Sequence, residues 1–173
     1  AQKTQQALTN EQLGKDTQLT TKLTDLTRRD GSSLNILAGD TVNISYVKDG
    51  KTFSASYAAK DTTVADIFKQ MNAIAGDVFD VAGMSDTEEI GTGAAGQTVK
   101  TIDGEHAISV KAKDAGTAGS ISGFTIGISD SKGQMKKTVS SALDAFTETI
   151  QAKDARADGS LKMQIGADAN NTL

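Results

Sequence analysis

Cysteine, proline and tryptophan are absent from the 173 residues, and histidine occurs once, at position 106. Without Cys there can be no disulfide framework, no thiolate metal site and no sulfur nucleophile. The same absence assigns no compartment. A chain of this length can bury roughly 70% of the surface its unfolded form exposes, so folding needs no covalent staple. Aromatic residues make up only 4% of the sequence, so the core is expected to be light and to lean on aliphatic packing and backbone ladders. Enzyme pockets draw on aromatic side chains and convergent polar groups. A chain short of these, and rich in Thr, Ser, Ala, Gly, Gln and Asn, points to a structural or assembly protein. Long apolar runs are also missing, so nothing reaches the ~18 residues of a membrane span, and no charged-then-apolar leader opens the chain. The 18 basic and 22 acidic residues are interspersed and leave a net charge of −4. That balance offers no basic stripe for nucleic acid. The chain opens on Ala1 and stops in mid-pattern at Leu173, so both ends are expected to be cuts in a longer protein.

The strongest positive signal is Asp40-Thr-Val-Asn-Ile-Ser-Tyr-Val-Lys-Asp-Gly-Lys-Thr-Phe-Ser-Ala-Ser-Tyr57. Two alternating runs flank Asp49-Gly50, a dipeptide suited to a two-residue hairpin turn. A turn there sets Tyr46 opposite Phe53, Ile44 opposite Ala55 and Val42 opposite Tyr57, all on one sheet face, because side chains alternate with period two. Thr62 or Thr63 can then cap a helix, in which Val64, Ile67, Phe68 and Met71 form one apolar stripe. Residues 40–75 are therefore expected to form a compact ββα unit.

Elsewhere the pattern is more mixed. Residues 1–29 are polar, with Leu19, Leu23 and Leu26 at helical spacing, although Gly14 and many Thr weaken helix propensity. Arg28-Arg29 suits a solvated helix end. Residues 76–96 are a Gly-rich loop passage holding Asp86, Glu88 and Glu89. A second hairpin is expected over 97–112 around Asp103-Gly104, and a strand over 120–129 with a break at Gly123. Met135, Val139, Leu143, Phe146 and Ile150 predict an amphipathic helix over 134–154, about five turns long. Leu161, Met163 and Ile165 alternate as a short strand in a closing hairpin over 155–173.

Residues that could carry chemistry do not converge. His106 sits beside a turn, and its neighbours Asp103 and Glu105 fall on other faces of an extended chain, so it reads as a surface side chain. The acidic trio Asp86, Glu88 and Glu89 lacks the ligand spacing of a known calcium loop. Gly91-Thr-Gly-Ala-Ala-Gly96 follows no buried strand and opens no helix, so it is not a dinucleotide fingerprint. The sequons at Asn43 and Asn171 are short enough to arise by chance. No catalytic, cofactor-binding or metal residues are assigned.

Two segments carry a family resemblance. Thr24-Asp-Leu…Gly39-Asp-Thr-Val-Asn-Ile-Ser…Asp49-Gly-Lys…Asp61-Thr-Thr-Val-Ala-Asp-Ile…Met71-Asn72 is similar to a module shared by flagellins, hook proteins and hook-associated proteins. Met71 stands where that module usually has Ile. Asp158-Gly-Ser-Leu-Lys-Met-Gln-Ile-Gly-Ala-Asp-Ala-Asn-Asn-Thr-Leu173 resembles a flagellin hairpin segment more specifically, with Asp168 where many flagellins have Asn. The resemblance implies a secreted, extracellular structural subunit that self-assembles with other flagellin subunits into the motility filament, without catalysis or cofactor. It implies an α+β fold in which 30–133 form the β-hairpin-rich outer domain with its covering helix. Residues 1–29 and 134–154 would be flanking helices near the filament core, their Leu and Ala faces serving assembly, and 155–173 a short terminal hairpin. Contacts between subunits would lie mostly outside or at the ends of this chain, so a monomer is expected. The alternatives are a flagellar hook or filament-cap domain, and an adhesin-type binding module on a cell-surface fibre.

Overall fold

A computed structural model of the chain describes residues 3–76, 78–80 and 107–154. Its elements in order are β1 (Ala7–Asn10), β2 (Thr41–Lys48), β3 (Lys51–Ala58), α1 (Val64–Ala75), β4 (Ile108–Lys111), β5 (Ser122–Ser129), α2 (Lys137–Leu143) and β6 (Phe146–Ile150). The strands make two antiparallel three-stranded sheets, ordered β4-β1-β6 and β3-β2-β5. The mixed α and β content agrees with the fold class expected from the sequence.

The ββα unit forms as the pattern dictates. Asp49 and Gly50 both take positive φ, 52° and 75°, which is the turn geometry whose twist matches the strands it joins. The register pairs Tyr46 with Phe53, Ile44 with Ala55 and Val42 with Tyr57. Thr63 caps α1: its hydroxyl accepts from Asp66 N–H at 3.3 Å, while the Asp66 carboxylate accepts from Thr63 N–H at 2.9 Å. That reciprocal box satisfies two amides the helix cannot satisfy itself. The next two are taken by the 19–23 segment, since Val64 N–H donates to Thr21 O and Ala65 N–H to Leu19 O. Val64, Ile67, Phe68 and Met71 are all completely buried, and the Tyr46 hydroxyl donates to Met71 O at 3.0 Å, fixing helix to hairpin.

At Gly123 the expected break is a bulge. Ser45 pairs with Thr125 but Val47 with Ser122, so β5 carries one more residue than β2 there. Gly123 takes φ 60°, which Gly adopts without the Cβ clash other residues suffer. The extra residue changes the parity of the strand, so Ile121 is buried together with Ile126 and Ile128.

Both flanking helices need correction. Of residues 1–29, the described part, 3–29, contains strand β1 and one 3₁₀ turn at Leu23–Asp25. Threonines that lower helix propensity bond locally instead: Thr17 Oγ1 donates to Gly14 O at 2.6 Å, and Thr21 Oγ1 accepts from Gln18 N–H at 2.9 Å. Leu13, Leu23 and Leu26 are buried in the chain's own core, so these leucines are not a free assembly face. Residues 134–154 hold the two-turn helix α2 followed by β6. The spacing misled because an i, i+4 pair such as Phe146 and Ile150 lies on one face of a helix and, being even, also on one face of a strand. Of the hairpin expected over 97–112, β4 is present and pairs with β1. Its turn and first strand lie outside the described residues, as does the closing hairpin over 155–173.

All five phenylalanines join Tyr46 in one ring cluster. Phe68 is at its centre, with ring centroids 5.1 Å from Phe79, 6.0 Å from Phe124 and 5.4 Å from Phe146. Through Phe124 on β5 and Phe146 on β6, the helix ties the two sheets into one core. Phe68→Ala is expected to lose ~3–5 kcal/mol, read as a lower urea midpoint at unchanged slope. Phe53→Ala, on a half-buried ring, should lose clearly less.

Candidate functional site

The outer face of the β3-β2-β5 sheet and helix α2 enclose a cleft of about 550 Å³. Residues of the sheet that alternate away from the core supply its floor: Asn43 and Ser45 from β2, Ser54 and Ser56 from β3, Thr125 from β5. Lys137 and Asp144 of the α2 region and Met135, 59% exposed, form the rim. The helix is held by side chains one turn apart. Ser140 Oγ accepts from Ile128 N–H and Asp144 Oδ1 from Ile126 N–H, both at 2.8 Å.

Much of the cleft's polarity is turned on its own walls. Ser45 and Thr125 share a hydroxyl hydrogen bond of 2.6 Å across the strands, and Ser56 Oγ donates to Asn43 Oδ1 at 2.7 Å. Asn43, the sequon residue, also donates from Nδ2 to Ser129 Oγ at 3.1 Å. Cross-strand pairs of this kind stabilise a sheet. A serine nucleophile would need an adjacent base, and the carboxylate that lines the cleft, Asp144, accepts from a backbone amide. Burial pushes the Asp144 carboxyl above its ordinary range, with the Ile126 amide opposing the shift.

Four sets of buried or half-buried polar side chains do structural work that the sequence did not disclose. Asp40 is 3% exposed; its Oδ2 accepts from Lys136 Nζ and from Leu37 N–H, both at 2.8 Å. Lys136 reaches further to Asn35 O at 2.6 Å. Asn72 accepts from Val78 N–H and Phe79 N–H at 3.0 and 2.9 Å and donates to Phe79 O at 3.0 Å, so it pins the return segment to α1. Gln6 makes the same two-way pairing with Ile121, donating to its carbonyl and accepting from its amide. Asn10 donates to Ala142 O and Leu143 O at the end of α2 while accepting from Gln12 N–H and Leu13 N–H. Amide side chains can donate and accept at once, which lets each stand in for a missing strand neighbour. In a sequence they look no different from solvated side chains. The Tyr57 hydroxyl differs: among the described residues it is buried without a partner, and burial first, then the Asp66 charge, raises its pKa.

Arg28 and Arg29 end no helix. Each braces a loop, through Nη1 to Ser33 O at 2.8 Å and to Leu13 O at 3.2 Å, beside a second hollow that reaches Thr138 and Ser141. Among the described residues no group of three His, Cys, Asp or Glu could hold a metal ion. His106, the acidic trio Asp86, Glu88 and Glu89, the 91–96 glycines and Asn171 lie outside the described residues. The chain matches no protein-family model, no curated protein and no solved structure.

Lys136→Ala would strand the Asp40 carboxylate in a dry site, and is expected to lower stability by ~3 kcal/mol in chemical denaturation. For Asp144 the sign follows from its raised pKa: the folded state holds the proton more tightly, so its stabilising contribution is present in acid and fades as pH rises through the folded pKa. Asp144→Asn keeps an acceptor for Ile126 N–H and removes that loss. The variant should therefore gain on the parent as pH climbs from about 3 to about 7, measured as the difference between their melting temperatures.

Proposed function

We propose that this chain is the outer part of a bacterial flagellin, a non-catalytic structural subunit of an extracellular motility filament. The observation that carries the reading is the way the chain enters and leaves the described body. β1 and β6 run antiparallel side by side, and beyond them Thr4 N–H donates to Lys153 O at 2.9 Å. With the first and last described strands as neighbours, both connections lie in one place, which suits a domain that projects from a parent structure.

The residues of the flagellar resemblance add support by what they do. Asp40 locks the loop before β2, Asp49-Gly50 turns the hairpin, Thr63 and Asp66 box the helix start, and Asn72 pins the segment after it. The motif works as a folding module, which suits a scaffold held on a polymer. Because Leu13, Leu23, Leu26, Val139 and Leu143 are consumed in the chain's own core, contacts that drive polymerisation belong to other parts of the subunit.

Antibodies raised against the 173-residue chain provide the test, applied to cells of its source under electron microscopy. Gold along the whole length of the filaments is expected. Gold confined to the hook or to the filament tip would instead assign a hook or filament-cap protein. Label spread over the envelope with bare filaments would favour an adhesin and overturn the flagellar reading.

A further inference from the structure

The two edges of the β3-β2-β5 sheet differ. Along β5 the outward amides of Ile126 and Ile128 are taken by Asp144 and Ser140, and Ile128 O accepts from Lys136 N–H at 2.8 Å. Along β3 there is no such cover among the described residues. Lys48 and Lys51 close the two-residue turn, so Phe53, Ala55 and Tyr57 direct their N–H and C=O groups to β2. Thr52, Ser54 and Ser56 direct theirs outward, where no described group meets their amides.

Natural sheets guard open edges with charge, proline or a bulge. From Thr52 to Ala58 this strand has none of them: it reads Thr-Phe-Ser-Ala-Ser-Tyr-Ala, and its ladder with β2 runs from end to end without a register shift. An incoming strand would need apolar residues on the α1 side, alternating with small polar ones on the other. That is the pattern of β3 itself.

We propose that β3 pairs antiparallel with β3 of a second copy of this chain, joining two three-stranded sheets into one across a two-fold axis at Ala55. The outward groups fix the register. Ser54 faces Ser56 of the second copy and Thr52 faces Ala58, each pair hydrogen-bonded and each made twice. Between them Ala55 faces Ala55, small enough for close approach, and Phe53 faces Tyr57 on either side, giving two aromatic cross-strand pairs. Sliding by two residues breaks both aromatic pairs, setting Phe53 against Ala55 or against Ala59. Lys51 of each copy falls at the far end from its twin, so the one charge on the strand does not oppose the pairing. This contact goes beyond the filament reading and does not rest on it. It replaces the sequence-based expectation of a monomer with a weak, concentration-dependent dimer, in keeping with a strand-to-strand contact of small area.

Sedimentation of the 173-residue chain from about 10 µM to about 1 mM is expected to show a monomer–dimer equilibrium. Two double variants, Ser54→Glu with Ser56→Glu and Ser54→Lys with Ser56→Lys, put like charges opposite one another twice. Each should keep the parent's circular dichroism and dimerise at least ~10-fold more weakly. Mixed in equal amounts they should restore the dimer, because both serine positions of the acidic copy then face introduced lysines of the basic one. A measurement on the unmodified chain stands independently of how the variants fold: amide exchange at Thr52, Ser54 and Ser56 should slow as concentration rises. A parent that stays monomeric throughout, folded like-charge variants that dimerise as well as it does, folded variants that fail to combine when mixed, or exchange at these three amides that ignores concentration would each overturn the proposal.

Discussion

Phe68 joins what would otherwise be two small sheets. A three-stranded sheet exposes an apolar face and needs a second layer to cover it, and β4-β1-β6, with strands of four or five residues, has little surface of its own to bury. The helix α1 rises from the longer hairpin and places one aromatic ring against Phe124 of the hairpin sheet, Phe146 of the short sheet and Phe79 of the segment between. In a chain with so few aromatic residues, four of the five phenylalanines, Phe68, Phe79, Phe124 and Phe146, meet at this junction and join the short sheet to the rest of the core. Everything else in the fold either delivers a ring to that cluster or holds the delivering segment in place.

Buried and half-buried polar side chains do the holding. Gln6 fastens the start of β1 to the approach to β5, Asn10 fastens its end to α2, Asn72 fastens α1 to the Phe79 segment, and the Asp40–Lys136 pair fastens the loop before β2 to the one before α2. Each joins separate pieces of the chain. Three of the four use an amide that both donates and accepts, which leaves no charge to neutralise in a dry place. Irregular segments with few ladder bonds of their own are thereby fixed as firmly as strands. Together these locks explain how a chain rich in loops and threonine maintains a defined core.

The same restraint governs the surfaces. Side chains that could have formed a reactive centre are committed to backbone or to one another, as Ser140 and Asp144 are at the β5 edge and Ser45, Ser56, Thr125 and Asn43 are on the outer face. Among the described residues the β3-β2-β5 sheet has one edge sealed by its own helix and the other left open. Its outer face is lined by small hydroxyl and amide side chains, while its inner face is spent on the core.

Local pattern by itself determined the ββα unit, down to its register. A turn dipeptide that tolerates positive φ, strict alternation on either side and an apolar stripe behind a capping threonine all specify the same unit within about forty residues. The sequence also marked the strand that carries Gly123. Only the tertiary structure decided the rest. Leu19, Leu23 and Leu26 have helical spacing, yet that segment serves better as an irregular brace whose carbonyls satisfy the first amides of α1. Phe146 and Ile150 fit either period, and β1, a central strand in want of a neighbour, settled the matter in favour of β6. The polar locks were invisible because each has at least one partner 6 to 133 residues away, and an enclosed Asn or Gln differs from an exposed one only in what surrounds it. Periodicity records which face a residue presents, but not which distant segment arrives to meet it.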